Sequence, residues 1–122
     1  IKTEQAPLPI GPYSQAVATG GFIFCSGQIP LDPSNGSLAA GGIQVQAERV
    51  LDNLEAVLKE AGSSLEKVVK LTVYLKDLSD FPVVNQAMER RWRPPYPARS
   101  TVQVAALPKG AALEIEALAV DA

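Results

Sequence analysis

The sequence predicts an α+β domain, a mixed sheet of about six strands with two helices packed on one face, in the order ββ-α-β-α-ββ. Three observations predict it. Ile43, Ala47, Val50, Leu51, Leu54, Val57, Leu58 and Ala61 recur at three- and four-residue spacing, the stripe of a helix that buries one side. Val69, Leu71, Val73 and Leu75 alternate with Lys70, Thr72, Tyr74 and Lys76, the period of a strand with one apolar face. Gly20-Gly21 separates two strand-like runs, and a primed two-residue turn needs positive φ at its centre.

The runs beside that turn are 14–19 and 22–26. Gly27-Gln28-Ile29-Pro30 ends the second, and Asp32-Pro33-Ser34-Asn35-Gly36 is turn chemistry. The long helix follows, with Glu48, Arg49, Asp52, Glu55 and Lys59 toward water and Gly62 as its stop. A strand over 68–76 comes next. Ser79 or Asp80 caps a second helix with Pro82 tolerated in its first turn. Phe81, Val84, Met88 and Trp92 make its inner stripe, and Pro94-Pro95 forces it to end. Two last strands, about 99–106 and 112–120, flank the loop Leu107-Pro108-Lys109-Gly110.

A chain of 122 residues is expected to be one domain, residues 1–122, with a real core. Its 47% apolar and 20% charged content is that of a globular protein. A net charge of −2 gives no general attraction to nucleic acid or anionic membrane. The single cysteine, Cys25, forms no internal disulfide and fits a reducing compartment. No apolar run approaches the ~20 residues of a membrane span, and no signal-peptide pattern is visible, so a cytoplasmic protein is expected. The absence of histidine excludes most: the usual general base, the Ser-His and Cys-His pairs and the commonest zinc ligand. Any catalysis must run on carboxylate, tyrosine, hydroxyl, backbone groups and water.

Within those bounds Arg99, Glu114 and Glu116 draw notice. Guanidinium grips a carboxylate through two parallel hydrogen bonds, and a nearby glutamate can hold or deprotonate a water beside the bound acid. If 107–110 is a four-residue hairpin loop, Gln103 faces Glu114 and Thr101 faces Glu116, so Arg99, Thr101 and Gln103 share a sheet face with both glutamates. A loop one residue longer or shorter separates them. The plain alternative is a surface arginine paired with surface glutamates. The sheet face away from the helices mixes apolar, hydroxyl and charged side chains, which suits a symmetric oligomer with clefts between subunits.

Ile10-Gly11-Pro12-Tyr13-Ser14-Gln15-Ala16, Ser26-Gly27-Gln28-Ile29-Pro30, Pro97-Ala98-Arg99-Ser100 and Leu107-Pro108-Lys109-Gly110 with Glu114-Ile115-Glu116-Ala117 resemble the signatures of the RidA/YjgF family, also labelled endoribonuclease L-PSP, from about residue 4 to residue 120. The resemblance implies a chorismate-mutase-like fold and a homotrimer with active sites between subunits. It implies a 2-iminobutanoate/2-iminopropanoate deaminase, which hydrolyses enamine and imine intermediates of the 2-aminoacrylate type to 2-keto acids and ammonia, without metal or organic cofactor. It implies Arg99 as the clamp on the substrate carboxylate, Glu114 as the group that positions water, and Tyr13 in the cleft from the adjacent subunit. It further implies Gly27 as a close backbone approach with Ser26 beside it, and Asn85 as a cleft residue. Thr101 stands where many members carry a cysteine; this argues against a thiol nucleophile and leaves the backbone N–H at 101 as a carboxylate donor.

Other readings of these residues stand beside it. Tyr13 can simply cap the sheet edge, Cys25 and Trp92 can be packing residues, and Glu116 competes with Glu114 for the water. Arg90, Arg91, Arg93 and Arg99, interleaved with Trp92 and Tyr96, fit single-stranded RNA, although Arg90 and Arg93 also suit the end of a helix. A non-catalytic binder of small carboxylates is the third reading. Nucleic acid and membrane are not expected partners.

Overall fold

The computed structural model describes residues 1–121. Strand β1 (Ala16–Thr19) turns through Gly20 and Gly21 into β2 (Phe22–Gln28), and both glycines have positive φ, 58° and 83°. Helix α1 (Ile43–Glu60) follows, then β3 (Val68–Leu75), α2 (Phe81–Arg91), β4 (Ala98–Gln103) and β5 (Leu113–Val120). Gly62 has φ 81° just past α1, and its N–H bonds the Lys59 carbonyl, so this glycine closes the helix as its position predicts. Asp80 stands at the N-cap of α2 without a side-chain cap bond; Asp77 instead accepts from the Ser79 N–H in the single 3-10 turn before it.

The sheet has five strands, not about six, in the order β1-β2-β5-β3-β4. The expected pairing of the last two strands does not form. Helix α2 carries the chain across from β3 to β4, so β4 lies parallel to β3, while β5 returns to the other side of β3 as its antiparallel neighbour. Strand β4 also ends at Gln103, and the connection 104–112 passes the end of β3, where the Lys76 N–H bonds the Ala112 carbonyl.

The helical face of the sheet is the core. Ala47, Val50, Leu51, Leu54, Val57 and Leu58 of α1 pack with Val84, Ala87 and Met88 of α2 over Ile23, Cys25, Leu71, Val73, Leu75, Leu113, Ile115, Ala117 and Ala119. Burial pushes the Cys25 thiol up to about 11, so it stays protonated as a small apolar residue. Trp92 is buried too, its indole N–H donating to the Leu65 carbonyl at 2.7 Å. Two buried amides anchor loops. Gln15 accepts from the Thr3 N–H at 2.7 Å and donates to the Thr3 and Pro7 carbonyls at 3.0 and 2.8 Å, which ties the N-terminal segment to the sheet. Asn53 of α1 donates to the Leu31 carbonyl at 2.9 Å and holds the loop after β2.

Charge ties the two helices together. Glu48 accepts from Arg90 and Arg91 at 2.7 Å each, and Arg91 also reaches Asp52 at 2.8 Å. Burial pushes the Glu48 carboxyl up, but the hydrogen bonds and charges of Arg90 and Arg91 outweigh it and hold the group below the usual carboxylate range. A carboxyl lowered in the folded state stabilises the fold above its unfolded pKa, and that contribution is lost as pH falls through the folded value. Glu48→Gln is therefore expected to lower the free energy of unfolding at neutral pH and to flatten its decline below about pH 4.3, as read by urea titrations across that range.

Candidate functional site

Arg99 lies on the edge strand β4, level with Leu71 of β3, and residues level across a ladder share a face. Leu71 is fully buried under the helices, so the Arg99 side chain also points to the helical side. There its Nη1 donates to Asn85 Oδ1 at 2.7 Å and contacts the Met88 sulfur at 3.3 Å, while the guanidinium carbon lies 4.8 Å from the Phe81 ring centroid. These neighbours are neutral, and none of the ion pairs among the described residues includes Arg99. The arginine lines an open cleft of about 380 Å³ with Asn85, Met88, Glu89, Tyr96 and Pro97. This is a held cation with an uncompensated charge, the arrangement an anion needs.

Thr101 sits two residues along the same face, level with Val73, and its hydroxyl oxygen is buried without a hydrogen-bond partner among the described residues. The Val104 N–H bonds the Leu75 carbonyl, so by the alternation of a parallel strand the N–H groups of 99, 101 and 103 face the free edge of the sheet. The backbone donor expected at Thr101 is thus unpaired by the sheet and lies beside the arginine.

Glu114 and Glu116 are elsewhere. They stand level with Tyr74 and Thr72, on the sheet face away from the helices. The expectation that Arg99, Thr101 and Gln103 share a face with both glutamates is overturned, because β3 lies between the two strands and its parity sends the arginine and the glutamates to opposite sides. Glu114 is partly buried against Gly27; a Cβ at position 27 would lie 2.8 Å from its carboxyl carbon and collide with its oxygen. Gly27 belongs to the irregularity between Cys25 and Gln28, where β2 slips its register against β5. Burial, and then the charge of Glu116, push the Glu114 carboxyl above the usual carboxylate range.

Ser26 donates to the Ser14 carbonyl at 2.5 Å, which brings the segment of Tyr13 beside this bulge. Tyr13 is 47% exposed, and its hydroxyl accepts from the Ile10 N–H at 3.2 Å. The predicted site residues therefore fall into two separate groups within the chain. Arg99, Thr101 and Asn85 form one at the α2/β4 edge; Glu114, Gly27 and Ser26, with Tyr13 next in the chain, form the other on the open face. Asn85 lines the cleft and at the same time accepts from Arg99, so it orients the guanidinium. Phe81 and Met88, which read as core stripe in the sequence, share that task; only the i, i+4 and i, i+7 spacing from Phe81 to Asn85 and Met88 hinted at a common face. Of the arginines grouped near residue 91, Arg90 and Arg91 are paired with Glu48 and Arg99 is inside the cleft.

Fold and side-chain placement together define an α+β protein with an arginine in a cleft at one edge of the sheet and a carboxylate of raised proton affinity on its opposite face. The chain belongs to the RidA/YjgF family: the family model described as Endoribonuclease L-PSP matches residues 3–121. A RutC family protein of Pyrococcus abyssi is 52% identical over 119 residues, covering 98% of this chain and 94% of that one. The human 2-iminobutanoate/2-iminopropanoate deaminase is 48% identical over 121 residues, covering 99% and 88%. The crystal structure of RidA from an Antarctic Psychrobacter superposes with a TM-score of 0.95 at 48% identity, covering 98% and 97%. Among the described residues no helix is long and apolar enough to cross a membrane.

Gly27→Ala tests the packing of Glu114. The colliding atoms are the end of a flexible side chain, so the protein is expected to fold with little loss of stability while the carboxylate swings toward water. Carbon-13 NMR titration of Glu114 is then expected to find it at lower pH than in the unsubstituted protein, because burial is the leading cause of its raised value.

Proposed function

We propose that the protein is a hydrolase that deaminates small 2-imino acids, with sites completed between copies in a homotrimer. The single observation that carries this reading is the Arg99 guanidinium, held in a cleft by neutral partners and left free to bind a carboxylate. A surface arginine in the plain reading would be compensated by acids; this one is not. The human relative's name supplies the substrate class.

Two half-sites on opposite faces of one sheet cannot meet on one small molecule within a chain, so a second copy supplies the missing half. The open face also exposes Val17, Phe22, Phe24 and Val102 at 44–53%, apolar surface that an assembly covers. Arg99 and the N–H of Thr101 hold the substrate carboxylate, and the imine carbon then lies beside a water held by Glu114, Tyr13 and the Ser26-Gly27 backbone of the neighbour. Water oxygen bonds to the imine carbon as Glu114 takes a water proton and passes it to nitrogen, giving a carbinolamine. Glu114 next takes the hydroxyl proton and returns it to nitrogen; the C–N bond breaks and ammonia leaves a 2-keto acid. Positioning supplies most of the gain, since an imine is already electrophilic. The raised proton affinity of Glu114 suits a group that both accepts and returns a proton.

The test couples the protein to a pyridoxal-phosphate dehydratase acting on serine and follows keto-acid release. Arg99→Lys keeps charge but loses the fork; one hydrogen bond to a charged group is worth roughly 1.5–3 kcal/mol, so kcat/KM is expected to fall about tenfold to a hundredfold. Glu114→Gln is expected to lower kcat while keto-acid binding survives, and Arg90→Ala with Arg93→Ala to change little. Full turnover by Arg99→Ala overturns the reading. So does salt-dependent RNA binding lost with the arginines near residue 91, or keto-acid binding without turnover. Light scattering is expected to give the mass of three chains at micromolar concentration; a monomer removes the shared site.

A further inference from the structure

Glu114 and Glu116 lie two residues apart on one face of β5, yet their surroundings differ. Glu116 accepts a hydrogen bond from the Tyr74 hydroxyl across the ladder. Glu114 accepts none among the described residues and rests its carboxylate against Gly27. The bond to Glu116 first, then burial and the charges of Glu116 and Glu114, raise the proton affinity of the Tyr74 phenol, so this hydroxyl is a fixed donor throughout the neutral range. The charged group that acts on Glu114 is its strand neighbour Glu116, and from β3 Tyr74 stands level with it. The Lys70 ammonium is turned to the Ser100 hydroxyl at 3.3 Å, and β2 presents only the Ser26-Gly27 backbone and a serine hydroxyl.

We propose that Tyr74 is a positioning residue for the deamination read above: its hydroxyl donates a hydrogen bond to Glu116 and fixes that carboxylate beside the phenol, which leaves Glu114, without such a partner among the described residues, as the group that takes up and returns the proton. Two identical side chains on one face thus acquire different tasks through a single phenol. Without the phenol neither carboxylate would have a fixed partner, and the two would compete for the water. With it, Glu116 is engaged by the phenol and Glu114 does the exchanging, a division of tasks that unlike environments give to two carboxyl groups.

The two ways of breaking this arrangement move Glu114 in opposite directions. Glu116→Gln removes the like charge, so Glu114 titrates at lower pH and the acid limb of kcat/KM moves down with it. Tyr74→Phe keeps the ring but removes the donor that offsets the Glu116 charge, so that charge acts more strongly on Glu114, which then titrates at higher pH. The acid limb then moves up, while KM, set by Arg99, changes little. The experiment measures Glu114 by carbon-13 NMR titration of the unliganded protein and, separately, the pH profile of deamination. Opposite shifts in the two variants support the proposal; no shift in either, or shifts of the same sign, overturn it. The NMR titration needs no turnover. If the unsubstituted protein fails to deaminate while the opposite shifts are found, the functional reading fails and the placement of Tyr74 stands.

Discussion

Strand β3 governs the molecule, because it is hydrogen-bonded on both sides. On one flank β4 runs parallel to it, delivered there by α2; on the other β5 runs antiparallel. From Lys70 to Leu75 each residue of β3 is level with one residue on each neighbour. Leu71 and Val73 commit Arg99 and Thr101 to the helical side; Thr72 and Tyr74 commit Glu116 and Glu114 to the open side. The strict period of a strand leaves no intermediate choice, so a single alternation divides the chemistry between two surfaces.

Charge is divided as sharply. Arg90 and Arg91 are spent on Glu48 and Asp52, where they bind α2 to α1. Arg99, on the strand that follows, is surrounded by an amide, a thioether and an aromatic ring, partners that orient a guanidinium without neutralising it. The acids show the same contrast. Glu48 is held low by its arginines, whereas Glu114 is raised by burial and by a like charge. Paired groups serve the fold, and Arg99 and Glu114 stand outside every ion pair among the described residues.

Much of this was legible in the sequence, for reasons that differ by element. The 3.6-residue recurrence from Ile43 to Ala61 and the stop at Gly62 mark α1 almost to the residue, and Gly20-Gly21 marks its hairpin, because both signals are local. Strand pairing is not local. The alternation in 99–106 and 112–120 says that strands form, not that a third strand lies between them, and the nearest-neighbour hairpin was the wrong partner for β4. The family motifs single out Arg99, Thr101, Gly27 and Glu114, and the division of these residues between two faces follows from topology alone. Gln15 and Asn53 left no trace in the pattern, since their partners are backbone groups of distant loops. Tyr74 looked like one more outward residue of an alternating strand; its role depends on a glutamate that only the ladder brings beside it.

Placing the two half-sites on opposite faces has a genetic consequence. In an assembly whose sites each take one half from either neighbour, a chain damaged at Arg99 still lends a sound Glu114, and a chain damaged at Glu114 still lends a sound Arg99. Mixed oligomers of two such inactive chains contain some whole sites beside doubly broken ones, so two defective alleles complement each other. Within a single chain the same two lesions only share the same loss.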